Sequence, residues 1–316
     1  DQILAVQLFP GNREPNEVAH YLEQTRLAAA ALPGIEQAVL MSGAPFTAVG
    51  SLRLDISLPG APAGESQTLQ ARAISGPALS VLGIGLLRGR AFEPGDRTGS
   101  VPVALLNERA ARELFKGVDP LGQRVAVPPY GSGGDSTEFE VVGIVEDRKL
   151  DRVDSAAARA EIWMPFAQYS VPFGSLLLSS PLPPKSLIAS AEAAVWSVDR
   201  GQGIYRSFAV ADERDLHLAA PRFFARNAGV FAVFALVLSM VGVYAVLAVD
   251  LSRRRRELAL RAALGASRRD ALRFVGSKGL AIGIPGTLLG LALAAAMAQA
   301  VRGWLFDVDA STPWIV

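Results

Sequence analysis

The sequence predicts an α+β extracytoplasmic domain, a split β-α-β part with a β-rich part inserted into it, followed by transmembrane α-helices. Three observations carry this prediction. Two β-α-β units of matching size stand near the two ends of residues 1–220. Two runs, Asn227–Val249 and Gly279–Val301, are 23 residues each and hold no charge. Between these runs lies a strongly basic segment.

The first unit reads as a strand at Ile3–Phe9, a helix at Pro15–Leu32 and a strand at Ile35–Met41. Val18, Leu22, Thr25 and Ala29 share one face of that helix, and Pro33-Gly34 stops it. The matching unit near the end has strands at Gly174–Ser179 and Ile204–Val210 around a helix at Pro184–Val198. Two such halves split by a long segment suggest one α+β domain carrying an insertion. The insertion shows strands at Leu69–Ile74, Val101–Asn107, Phe139–Val145 and Glu161–Met164. Asn107 is placed to cap a helix over Glu108–Phe115. The glycine-rich stretch Pro128–Ser136 reads as a hairpin or loop, with no Lys-Ser/Thr behind it to make it a phosphate cradle.

From Asp212 the pattern is helical again and runs into the first apolar run, with Pro221 as the local breaker, so this span continues outward as a stalk. At 1.5 Å per residue each run reaches roughly 34 Å, enough to cross a hydrocarbon core of about 30 Å. The short loop between the spans carries Arg253–Arg256, Arg261, Arg268, Arg269, Arg273 and Lys278 against Asp250, Glu257 and Asp270. Such an excess places the loop in the cytoplasm. Residues before 227 then lie outside, in the periplasm of a bacterium with two membranes. The second span repeats small residues at Gly279, Gly283, Gly286, Gly290, Ala294 and Ala298, a face that lets helix backbones approach in lipid. Pro285 kinks or loosens its first turns.

The chain opens with Asp1, has no charged-then-apolar signal pattern and ends at Val316 within a connection, so it reads as a piece of a longer protein. The net charge of +1 averages unlike regions. The basic excess is local, which argues against a nucleic-acid-binding surface. Cysteine is absent, so disulfides, thiolate metal sites and cysteine nucleophiles are excluded. His20 and His217 stand alone in helical patterns. Glu93, Asp96, Asp147, Asp151 and Asp154 sit in turn-rich stretches, and no nucleophile elbow or Walker A loop is present. Gly117–Gly122 has the glycine spacing, but Gln123 stands where the lysine is needed. Neither span carries an Asp, Glu, Lys, Arg or His, which argues against an ion-coupled pathway between them. No metal, cofactor or catalytic residue is expected.

In the basic loop, Arg256–Arg261 continues the helix past the bilayer with Leu260 and Leu264 on one side, and Gly265 is a natural stop. Ser267 and Asp270 then match a capping box that starts a new helix. Two roles fit this hairpin: a topology anchor that binds anionic membrane lipids, or a docking element for a cytoplasmic partner.

Residues Arg254–Ala266 (RRRELALRAALGA) resemble the cytoplasmic loop of the MacB/FtsX-type ABC transporter permeases. Leu82–Phe92 (LGIGLLRGRAF), Val103–Glu108 (VALLNE), Asp119–Gly122 (DPLG) and Val141–Asp147 (VVGIVED) are similar to the MacB-like periplasmic core domain. Arg222-Phe-Phe and Leu305-Phe-Asp-Val flank the spans as in these permeases, and the style is closest to the large, often duplicated permeases of acidobacteria. The resemblance implies a multi-pass inner-membrane protein with a periplasmic domain over 1–220. In it, a porter-like part at 1–68 and 170–212 holds an insertion at 69–169. An FtsX-like membrane domain over 221–316 follows, its loop at 250–278, with a first span before Asp1 and a final one after Val316. The loop then supplies a coupling helix for a cytoplasmic ATP-binding subunit, with Arg256, Glu257, Leu260, Arg261, Leu264, Gly265 and Ala266 as docking residues. The missing spans and the small-residue face imply a second permease half or a homodimer. The function expected is a permease coupling ATP hydrolysis to periplasmic motion for efflux or envelope export. The alternative is an ATPase-independent or FtsX-like signalling or scaffold protein.

Overall fold

The computed structural model describes residues 2–11, 15–47, 50, 52–60, 62, 65–131, 134–150, 158–253, 283–294 and 296. In chain order the first elements are β1 (Ile3–Leu8), α1 (Pro15–Ala30), β2 (Gln37–Met41), β3 (Leu52–Ser57), β4 (Ser66–Ser75), α2 (Ala78–Val81) and β5 (Leu86–Gly89). There follow β6 (Val103–Asn107), α3 (Glu108–Phe115), β7 (Arg124–Val127), β8 (Thr137–Val145) and β9 (Glu161–Pro165). The series closes with β10 (Gly174–Ser179), α4 (Pro184–Val198), β11 (Ile204–Ala209) and α5 (Val210–Arg253). A further apolar helix, α6, covers Gly283–Ala294. The chain divides into two units, residues 1–218 and 219–316.

Both ends of the first unit build one antiparallel sheet in the order β11-β1-β10-β2, the arrangement of a split β-α-β fold. Its inner strands β1, β10 and β2 are mostly apolar because both faces are covered, while β11 at the edge is polar and partly exposed. On one face Leu4, Val6, Leu40, Leu176 and Leu178 meet Val18 and Leu22 of α1 and Ala191 and Val195 of α4. The four residues expected on the inner face of α1, Val18, Leu22, Thr25 and Ala29, are all fully buried. On the other face Ala5, Val39, Met41 and Leu177 meet Ile74, Leu105, Leu150 and Trp163 from the intervening segment.

That segment closes on itself. β4 pairs with β3 and β9, β9 with β6, β6 with β8, β8 with β7, and β7 returns to β3 through Ser57 and Ala126. The result is a six-stranded barrel with no free edge among those strands. Leu69, Ala71 and Ala73 of β4 alternate inward with Ala104, Leu106, Phe139, Ile162 and Met164. β4 also reaches past the barrel, where Ile74 and Ser75 pair with Met41 and Leu40 of β2, so one strand belongs to both layers. The strands β7 and β8 on either side of the glycine-rich stretch pair antiparallel, with Val127 opposite Thr137.

The strands β3, β5 and β7 are additional to those expected, although Leu52, Leu54 and Ile56 of β3 alternate with Arg53, Asp55 and Ser57 as in a half-buried strand. Every residue of β5 is exposed, so it carries no apolar alternation, while the alternation of β7, with Val125 and Val127 inward, is only four residues long. The last strand ends at Ala209, and Val210 already opens α5, so no loop separates sheet from helix.

Asn107 does more than cap α3. Its Oδ1 accepts from the Ala110 N–H at 3.0 Å and from the Glu161 N–H at 2.8 Å, while its Nδ2 donates to the Arg159 carbonyl at 2.7 Å. One buried side chain thus ties the helix start to the beginning of β9. Asn107→Ala removes all three bonds and is expected to cost about 2 kcal/mol, the upper end for a cap. Thermal unfolding of the full chain checks this, and Asn107→Asp, which keeps both acceptor contacts, is expected to lose less.

Candidate functional site

The helix α5 is the longest element, and its first two turns are held by the sheet domain. Lys185, in the first turn of α4, lies 3.0 Å from Asp212, and Arg206 of β11 lies 2.5 Å from Glu213. The Arg206 guanidinium also stands 4.5 Å over the Phe208 ring. His217 Nε2 is 2.6 Å from the carbonyl of Phe46, a residue held at a φ of 63°. Asp212 and Glu213 fall in the first turn of α5, where the helix dipole favours carboxylates.

Beyond this base the character changes. Residues Val210–Asp250 form a helix with a mean hydropathy of 2.6 in its most apolar window, none of which is buried. At 1.5 Å per residue it spans roughly 60 Å, so a bilayer-crossing length and an outward extension both fit within it. The helix continues through Pro221, and Phe224, Phe231, Leu238 and Tyr244 are each about 70% exposed. A soluble core helix would bury such side chains. Among the described residues this is the one helix long and apolar enough to cross a membrane.

The second predicted span is described only as α6, which at Gly283–Ala294 is too short to cross alone. Gly283, Gly286 and Gly290 lie on it with nothing within 4 Å of an added Cβ, and Thr287 Oγ1 donates to the Gly283 carbonyl at 2.8 Å. Gly279 lies outside the described residues, as do the loop residues Arg256, Glu257, Leu260, Arg261, Leu264, Gly265 and Ala266.

The loop carboxylates singled out in the sequence have local partners. Arg90 forks onto Asp96 with bonds of 2.8 and 3.1 Å, and this pairing, with the Glu93 N–H, holds the Asp96 carboxyl below its ordinary range. Asp147 accepts from the Arg109 N–H in the first turn of α3 at 3.0 Å and from Arg112 at 3.3 Å. Asp151 and Asp154 lie outside the described residues. His20 meets Gln24 Nε2 at 2.9 Å. Among the described residues no group of three or more His, Asp or Glu is placed to hold a metal ion.

Sequence reasoning missed a basic cleft beside the base of α5, lined by Arg148, Lys149 and Arg214. The doublet Arg148-Lys149 is visible in the chain, but nothing in its spacing shows that Arg214 meets it 65 residues later.

A sheet-and-barrel domain that passes without a loop into an exposed, bilayer-length apolar helix defines a membrane-bound protein with its large domain outside the bilayer. The chain belongs to the MacB/FtsX-like ABC transporter permeases. Residues 1–197 match the MacB-like periplasmic core domain and residues 229–316 the FtsX-like permease C-terminal domain. The chain is 24% identical over 222 residues to the pyoverdine export ATP-binding/permease protein PvdT of Pseudomonas syringae pv. tomato, covering 67% of this chain and 33% of that protein. It is 25% identical over 239 residues to the uncharacterized ABC transporter permease YknZ of Bacillus subtilis, covering 72% of this chain and 57% of that one. The periplasmic region of MacB from Actinobacillus actinomycetemcomitans aligns with a TM-score of 0.46 at 16% identity, over 68% of this chain and 92% of that one. The chain thus spans from about a quarter to somewhat over half of the length of the curated relatives it matches.

Proposed function

We propose that this chain is the permease part of a MacB-type ABC transporter that couples cytoplasmic ATP hydrolysis to motion of its periplasmic domain, for efflux or export of envelope substrates. The observation that carries the reading is the direct passage from β11 into α5, with the helix base tied by Asp212, Glu213 and His217. A helix so anchored transmits a push along its axis because it has no loop in which to absorb it. In this reading the chain has no catalytic role, and ATP is hydrolysed by a separate subunit.

The same proposal divides the chain into a periplasmic domain over 1–220, with porter-like segments at 1–68 and 170–212 around an insertion at 69–169, and a multi-pass inner-membrane domain over 221–316. The cytoplasmic loop 250–278 is its coupling element, with Arg256, Glu257, Leu260, Arg261, Leu264, Gly265 and Ala266 meeting the ATP-binding subunit. The face of Gly279, Gly283, Gly286 and Gly290 packs against another membrane helix, of this permease or of a second half.

Affinity purification of the full-length protein in mild detergent tests the reading. An ATP-binding subunit is expected to accompany the wild type. Glu257→Lys or Leu264→Asp is expected to weaken that association by at least about tenfold while leaving membrane insertion intact. Unchanged association in an inserted Glu257→Lys protein would remove the loop from the docking surface. A preparation free of any ATP-binding subunit would support a scaffold or signalling protein, with the arginines as a topology anchor.

A further inference from the structure

The cleft beside α5 has a volume of about 430 Å³, within the roughly 300–1,000 Å³ of small-molecule sites. Its walls come from segments far apart in the chain. Ile3 opens β1, Phe46 follows β2, Leu82 closes α2, and Leu150 follows β8. Onto these apolar walls the protein sets three cations, Arg148, Lys149 and Arg214, and no carboxylate.

The charge balance is not an accident of a crowded surface. On α5 two of the acidic residues near Arg214 are turned to other partners, Asp212 to Lys185 and Glu213 to Arg206. Arg148 donates to the Gly83 carbonyl and has Glu146 no nearer than 3.9 Å. Among the described residues Lys149 and Arg214 make no ion pair, although Arg214 is half-buried. A cation withdrawn from water without a counter-ion is costly, so a half-buried arginine over apolar walls is complementary to an anion. The first turn of α5, Val210 and Ala211, borders the same cleft and adds the positive end of its dipole.

We infer that this cleft binds an amphiphilic anion, a carboxylate or phosphate head held by Arg214 and Lys149 with an apolar tail against Phe46, Leu82 and Leu150. The inference concerns the outer domain alone and stands whether or not an ATP-binding subunit docks on the loop.

The test uses the full chain in nanodiscs of phosphatidylcholine, labelled with a diazirine-bearing decanoic acid and with its alcohol analogue, the cross-linked peptides being mapped by mass spectrometry. The acid is expected to label peptides holding Phe46, Leu82 and Leu150, and the alcohol to leave them unlabelled. Labelling is expected to fall about tenfold or more in Arg214→Ala with Lys149→Ala, and to survive in Arg214→Lys, which also serves as the folding control. Equal labelling by acid and alcohol, undiminished labelling in the double variant, or labelling elsewhere only would overturn the site. Discs doped with phosphatidylglycerol separate the sources of the ligand. Displacement of the probe identifies a membrane lipid headgroup as the occupant, and retention identifies a free amphiphile; either outcome keeps the site.

Discussion

Glu161→Leu is expected to cost about 3–5 kcal/mol of stability, a fall in Tm on the order of 10 °C for a domain of this size. Arg72 of β4 and Glu161 of β9 face each other at 3.2 Å with side-chain exposures of 2% and 3%. Arg72 Nε reaches the same carboxylate oxygen at 3.4 Å, and its guanidinium lies 5.7 Å from the Trp163 ring. Removing the carboxylate takes from a buried guanidinium the charge that faces it at 3.2 Å. Converting both residues, Arg72→Met with Glu161→Leu, removes the charge along with its partner and is expected to recover most of the loss. Thermal and denaturant unfolding of the two variants decides the matter. A single variant as stable as the wild type would mean that other neighbours, and not Glu161, hold the Arg72 charge.

The second large effect is expected at Gly143 of β8. This strand is flanked by β5 and β6, and Gly143 faces Gly89 in the first pairing and Leu105 in the second. A Cβ at 143 would stand 2.5 Å from the Arg90 carbonyl oxygen and 2.9 Å from Leu105 Cδ2. Gly89 is constrained in turn, because at a φ of 77° its own Cβ would meet the Val142 carbonyl oxygen at 2.2 Å. Two of the obstacles at 143, the carbonyl oxygens of Arg90 and Arg88, are backbone atoms in or next to β5, so they yield only by shifting that strand. Gly143→Ala is expected to cost about 2–3 kcal/mol and to raise hydrogen exchange along β5 before the rest of the barrel. Gly95→Ala, where an added Cβ meets nothing within 4 Å, is the control and is expected to stay within about 0.5 kcal/mol. A neutral Gly143→Ala would mean that β5 is free to move away from β8.

These two sites differ in how they could have been found. Gly143 lies in Val141–Asp147, one of the segments that resemble the periplasmic core domain, yet its reason is a contact with Arg90 and Leu105. Arg72 and Glu161 are ordinary charged residues at strand positions in the chain, and their pairing over 89 residues has no local signal. The same holds for Arg214 and the doublet Arg148-Lys149. Charge partners distant in sequence become legible only when strands take their register.

The sequence by itself determined the order of the main strands and helices, the α1 face of Val18, Leu22, Thr25 and Ala29, the Asn107 cap, the apolar runs and the family. Each depends on local periodicity, on one residue's capping geometry or on a run of hydropathy, all of which are written in neighbouring residues. The folded chain was needed to show that β4 serves both the sheet and the barrel, that the short β5 and β7 join the strand set, and that β11 passes directly into α5. Short strands such as β5 are held by hydrogen bonds to partners far along the chain, and their own side chains need carry no pattern at all. The cleft belongs with them, because a cavity is a property of walls that only folding brings together.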